Sequence, residues 1–220
     1  MKERGMIFNA EMVRAILDGR KTQTRRIMAP QPADDIERGI FPNPEVIGWK
    51  SSLRHKYGST TAHFCPYGKP GDRIWVREAF RVHSRATDVA TLIYKANERN
   101  SWTEQTHRVP VAVCNKPATP EKWTPSLHMP RWASRILLEI TDVRVERLNA
   151  ISEEDARAEG IIDGGCLNCG ESEPCGCANP EPDATDAFAY LWQSIYGQEN
   201  WNANPWVWVI EFKRVEGGAA

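Results

Sequence analysis

Ile16-Leu17-Asp18-Gly19-Arg20-Lys21-Thr22-Gln23-Thr24-Arg25-Arg26 joins the end of an apolar-periodic segment to a run of cations and hydroxyls. Just upstream, Met6-Ile7-Phe8 reads as a short strand and Asn9 as a helix N-cap, after which Met12, Val13, Ile16 and Leu17 recur at helical spacing. Gly19 falls where a left-handed C-cap belongs, so the helix stops there and the basic segment begins. Lys21 to Arg26 suits an extended chain. Its alternation sends Lys21, Gln23 and Arg25 to one face and Thr22, Thr24 and Arg26 to the other. Lys21 is then parted from Thr24 unless the chain turns or bulges between them. With Arg14, these cations form a local basic patch, although cations at a helix C-terminus also simply complement its dipole.

Working outward, residues 29–70 carry Pro30, Pro32, Pro42, Pro44, Pro66 and Pro70 and read as a long excursion with little regular structure, a length that suits the covering of a site. Pro70-Gly71-Asp72 reads as a turn into one strand over Arg73 to Phe80, and Ala90 to Tyr94 as another. Residues 114–130 read as loop. Arg135 to Leu148 is the longest strand-like run, with a change of phase at Thr141-Asp142 that suggests a bulge. Ser152-Glu153-Glu154-Asp155 opens a short helix ending at Gly160. Phe188, Leu191, Trp192 and Ile195 mark an amphipathic helix ended by Gly197, and Trp206 to Val215 a last strand. Strands dominate, without βα alternation and without a phosphate-cradling glycine loop. The pattern predicts an α+β fold built on a closed or half-closed β-barrel with flanking helices.

The chain has 220 residues, 41% hydrophobic and 26% charged, which excludes a largely disordered chain and allows one well-buried domain or two very small ones. No apolar run approaches the ~20 residues that span a bilayer, and the N-terminus enters a short strand instead of a signal-peptide core. A cytoplasmic location without membrane contact is expected. The net charge of -1 provides no global field to attract nucleic acid, so any such contact must be local.

With these segments in order, the stretch from Ile16 to Arg26 resembles the signature of ASCH domains, PUA-like β-barrels associated with RNA. Pro70-Gly71-Asp72-Arg73-Ile74-Trp75-Val76, Ile140 to Gly160 and Val209-Ile210-Glu211-Phe212-Lys213 follow in the order that the family would place them. The His128-Met129-Pro130-Arg131-Trp132-Ala133-Ser134-Arg135 stretch is similar to the long form found in phage and prophage members. The resemblance implies a single domain over residues 1–220, with a long loop insertion at about 27–69 and a Cys-rich insertion at about 162–182. One enzyme activity on this scaffold is hydrolysis of 4-acetylcytidine by a Lys, a Thr and a Glu. By motif position these fall on Lys21, Thr24 and Glu159, and Arg26 matches as well. Some ASCH proteins are ribonucleases.

The chemistry is coherent with those residue types. Amide hydrolysis needs a nucleophile, a base and a stabiliser for the oxyanion. Thr24 is suited to attack or to position a water, Lys21 to act as base once its pKa is depressed, and Glu159 to orient Lys21 or pass a proton on. Arg20, Arg25 and Arg26 are the cations expected to depress Lys21 and to hold a phosphate or oxyanion. Arg131, Trp132 and Arg135 form a second candidate surface for a base and a phosphate, with core packing an equal explanation for Trp132. Cys166-x-x-Cys169 and Cys175-x-Cys177 suit structural tetrahedral zinc, against a reading as clustered free thiols. Three functions follow as expectations: a binding module for RNA or modified nucleotides, an amidohydrolase of an acylated nucleoside, or a phage accessory protein whose partner is a host protein.

Overall fold

The computed structural model describes residues 1–32, 36–40, 50–55, 60–98, 100–162 and 184–215. In chain order the elements are β1 (Glu3–Ile7), α1 (Ala10–Leu17), β2 (Gln23–Ile27), β3 (Ile36–Ile40), β4 (Lys50–His55) and β5 (Thr60–Phe64). Then come β6 (Arg73–Arg77), β7 (Phe80–Arg85), β8 (Val89–Tyr94), α2 (Trp102–Gln105) and β9 (Thr106–Pro110). The chain ends with β10 (Leu137–Arg147), α3 (Glu153–Ala158), α4 (Ala184–Tyr196), α5 (Gln198–Asn202) and β11 (Trp206–Arg214). The fold is mixed α+β. Its strands form sheets of five, three and three strands, none of them closed into a barrel among the described residues.

The chain divides into two compact units that interleave in sequence. The first holds Met1–Asp18, Gly71–Glu139 and Lys213–Ala220. Here β1 runs parallel to β6, with Gly5 opposite Trp75, and β6 is antiparallel to the start of β10. Glycine is required at position 5 because a Cβ there would lie 2.5 Å from the Trp75 indole. The meander β7-β8-β9 supplies a core of Phe80, Val82, Leu92 and Tyr94, closed by Met129 and Ala133. Asn9 caps α1 by accepting from the Met12 N–H at 2.8 Å, as its sequence predicts.

The second unit holds Gly19–Pro70 and Ile140–Phe212. In it β11 lies between β10 and antiparallel β2, with Ile210 opposite Thr24 and Val209 opposite Arg25. Phe188 and Trp192 of α4 pack on Val207 and Val209 of β11 and on Ala156 of α3, and Trp192 donates to Asn200 of α5 at 2.9 Å. Ser152 caps α3 by accepting from the Asp155 N–H at 3.2 Å, and Gly160 takes φ +91° just past its end.

Two expectations change. The excursion at 29–70 contains the antiparallel sheet β3-β4-β5, because Lys50–His55 and Thr60–Phe64 are strands without the apolar alternation that announces one. The predicted strand from Arg73 to Phe80 is two strands, broken at Glu78-Ala79. Glu78 is buried there, and its N–H donates to the Met129 sulfur and not to a neighbouring strand. No described helix is long and apolar enough to cross a membrane.

Candidate functional site

The second unit gathers its polar interior on one face of β2. Lys21 forms an antiparallel bridge with Glu159, just past α3, and the Thr22 N–H donates to the Ala158 carbonyl at 2.8 Å. The Phe212 N–H donates to the Thr22 carbonyl, also at 2.8 Å, so this short segment is held between α3 and β11. The alternation of the segment then sends Lys21, Gln23 and Arg25 toward α3 together. Asp155 on α3 and Glu159 at its C-cap are four residues apart and so share one face.

Lys21 Nζ donates to Glu159 Oε2 at 2.6 Å and to the Glu159 carbonyl at 2.8 Å, and its side chain is wholly buried. Glu159 Oε1 accepts from Arg25 Nη1 at 3.4 Å. Arg25 Nη2 also reaches Asp155 Oδ2 at 2.7 Å and Glu146 Oε2 at 3.0 Å. Arg144 on β10 joins from the other side. It meets both Asp155 oxygens at 3.0 Å, Glu146 Oε1 at 2.6 Å, and Glu211. Gln23 Nε2 donates to the Asp155 carbonyl at 2.8 Å. The Arg25 guanidinium stands 5.9 Å from the Phe188 ring, so the network's inner edge rests on the hydrophobic core.

Two opposing effects act on Lys21. Burial pushes its pKa down, the Glu159 carboxylate pulls it up, and Arg26 and Arg25 push it down further; the net shift is downward. Desolvation thus outweighs the ion pair, and the neighbouring arginines only assist. Arg20, expected from sequence to contribute, is not among the causes. For Asp155 burial pushes upward, but the Arg25 hydrogen bond and the charges of Arg25 and Arg144 outweigh it and hold the carboxyl below the usual range. The outcome is one amine held below the ordinary lysine range beside Asp155, whose carboxyl is held below its own.

The other sequence candidates fall in different places. Thr24 is buried and makes no hydrogen bond to Lys21 or Glu159. Arg20 is exposed, donates to the Gly160 carbonyl at 2.9 Å, and lines a cavity of about 380 Å³ with Arg157, Ala158 and Ile161. Arg26 is half-buried, opposite Trp208 on β11. Arg131, Trp132 and Arg135 belong to the first unit. Arg131 pairs with Glu3 at 3.0 Å, and Trp132 meets Phe80 edge-on and packs on that unit's core. Arg135 grips buried Glu78 through two hydrogen bonds of 2.9 and 3.1 Å and stacks on Tyr94. Trp132 and Arg135 thus have packing contacts, whereas Arg131 stands in an exposed ion pair. Cys166, Cys169, Cys175 and Cys177 lie outside the described residues, and among the described residues no group of three His, Cys, Asp or Glu is placed to hold a metal ion.

The sequence reading missed Gln23, Arg144, Glu146, Asp155 and Glu211 as members of the network. Arg144 and Glu146 did carry a signal, since they are two apart on a strand and so share one polar face. No family model, curated protein or solved structure matches the chain.

Proposed function

We propose that the chain handles a modified nucleoside or nucleic acid at the Lys21–Glu159 centre, as an ASCH-type, PUA-like protein, and that its reaction is hydrolysis of an acylated cytidine-type amide. The observation that carries the reading is the buried amine–carboxylate pair with Lys21 held below the ordinary lysine range. A pair of this kind is a poor way to gain stability, because taking two charges out of water costs about as much as their attraction returns. It is a good way to make a base.

In this scheme neutral Lys21 Nζ takes a proton from a water as its oxygen attacks the acyl carbon. Glu159 holds the resulting ammonium. The tetrahedral intermediate then breaks its C–N bond, the proton passes to the departing amino group, and a carboxylic acid and the free nucleoside leave. Water is the simpler nucleophile, since Thr24 has no hydrogen bond to the base and lies on the opposite face of the strand from Lys21. The cavity lined by Arg20 and Ala158 adjoins Glu159 in the chain, on the side from which a substrate would approach.

The experiment is hydrolysis of 4-acetylcytidine by purified protein, followed as cytidine release. Lys21→Ala is expected to lower turnover by about 10²–10⁴, the usual contribution of a general base. A folded wild type that leaves 4-acetylcytidine intact but binds RNA in a salt-dependent way through Arg20 and Arg26 would instead favour a non-catalytic binding module.

A further inference from the structure

A second cleft lies in the first unit, whereas Lys21 belongs to the second. It has a volume of about 330 Å³ and is lined by Val82, Lys116, Lys122, Trp123, Thr124 and His128. That volume is within the span of small-ligand sites, roughly 300–1,000 Å³. Trp123 is half-buried, and the Arg81 guanidinium covers its ring at 4.5 Å. Arg81 Nε has no hydrogen-bond partner.

Among the described residues the cations around this cleft are not ion-paired. Elsewhere in the same unit Arg4, Arg131, Arg135 and Lys213 each face a carboxylate. Among the described residues no carboxylate pairs with Arg81, Lys116, Lys122 or His128. Arg85 adds to the excess, since its guanidinium donates to the Lys116 carbonyl at 3.1 Å. The cations therefore gather, none of them ion-paired among the described residues, beside a flat indole and a pocket. That combination complements a ligand with both an aromatic face and negative charge.

We propose that this cleft binds a nucleoside phosphate, with the base against Trp123 and the phosphate at Lys116 and Lys122. The ligand is a free nucleotide or one unit of a single strand, and both share this chemistry. The indole gives stacking that tolerates any base, while the lysines give affinity that falls with salt. Arg81 keeps the ring fixed from one side and adds charge.

The test uses the full chain with AMP by calorimetry and with a fluorescein-labelled six-nucleotide oligouridylate by anisotropy. Binding is expected to weaken about tenfold or more in Trp123→Ala. It is expected to stay within about threefold in Trp123→Phe, which keeps a stacking face. In Lys116→Gln/Lys122→Gln the slope of log affinity against log salt should fall by about 1.4, at about 0.7 per lost phosphate contact on a single strand. Binding by the oligonucleotide alone assigns the cleft to single strands, and comparable binding of AMP assigns it to nucleotides. Hydrolysis of 4-acetylcytidine by Trp123→Ala at the wild-type rate, or an unchanged far-UV spectrum, shows that the variant is folded. No binding of either probe by wild type, or equal binding by Trp123→Ala and by the double lysine variant, overturns the proposal. Either result leaves the Lys21 reading untouched.

Discussion

Replacing both members of the buried pair, as Lys21→Met/Glu159→Leu, separates a stabilising ion pair from one kept for chemistry. Lys21→Met alone leaves the Glu159 carboxylate with Arg25 Nη1 at 3.4 Å and removes its 2.6 Å bond to the amine. Stripping one partner from a buried pair costs about 3–5 kcal/mol, and the remaining arginine places this variant near the lower end. Glu159→Leu leaves Lys21 only the backbone carbonyl of residue 159. The amine then sheds its proton, which caps the penalty at about 4.6 kcal/mol, the cost of neutralising an ordinary lysine at pH 7. In the double variant neither charge remains, and Arg25 keeps Asp155 and Glu146 at 2.7 and 3.0 Å. It should therefore fall within about 1 kcal/mol of wild type or exceed it, a coupling of about 3 kcal/mol or more. Urea unfolding measures this, provided tryptophan fluorescence and far-UV circular dichroism give coincident transitions. A double variant as unstable as the two single losses added together would mean that the two side chains are not energetically coupled.

Three further outcomes follow from the geometry. Gly5→Ala drives a methyl to 2.5 Å from Trp75 and 2.9 Å from the Arg77 side chain, so it should destabilise by about 1–3 kcal/mol, seen as a lower thermal midpoint; an unchanged midpoint contradicts the close approach. Asp155 has a depressed folded pKa, so its stability contribution is present above the unfolded value of about 3.9 and is lost as pH falls through the folded one. Asp155→Asn should flatten that acid limb of an unfolding-versus-pH series, and an equally steep limb would count against the Arg25 and Arg144 contacts. For turnover, kcat/KM should rise with pH to a midpoint below the ordinary lysine value of about 10.4. Arg26→Gln removes one of the charges that lowers Lys21 and should move that midpoint upward.

How far the sequence spoke depended on whether a signal was local. Asn9 with Gly19, and Ser152 with Gly160, bracket α1 and α3 by capping chemistry that needs no tertiary partner. The alternation of Lys21, Gln23 and Arg25 was equally legible, and all three side chains do reach α3. The choice of Glu159 as partner came from the family resemblance, since 138 positions separate it from Lys21. The rest of the network was silent because Arg144, Glu146 and Glu211 acquire meaning only when β10, β11 and β2 lie side by side. Strands β3, β4 and β5 escaped for a different reason. A strand such as Lys-Ser-Ser-Leu-Arg-His offers no apolar period to read, and the prolines around it argue for loop. Burial also reversed an expectation of cause: the arginines near Lys21 looked sufficient to lower its pKa, yet loss of water is the larger effect.

The most direct test of the central claim is turnover of 4-acetylcytidine by the purified wild-type chain beside Lys21→Ala and Glu159→Gln. Wild type is expected to release cytidine and acetate, with a loss of about 10²–10⁴ in Lys21→Ala with the fold retained. Folded wild type that releases no cytidine, or a Lys21→Ala variant that releases it at the wild-type rate, would contradict that claim.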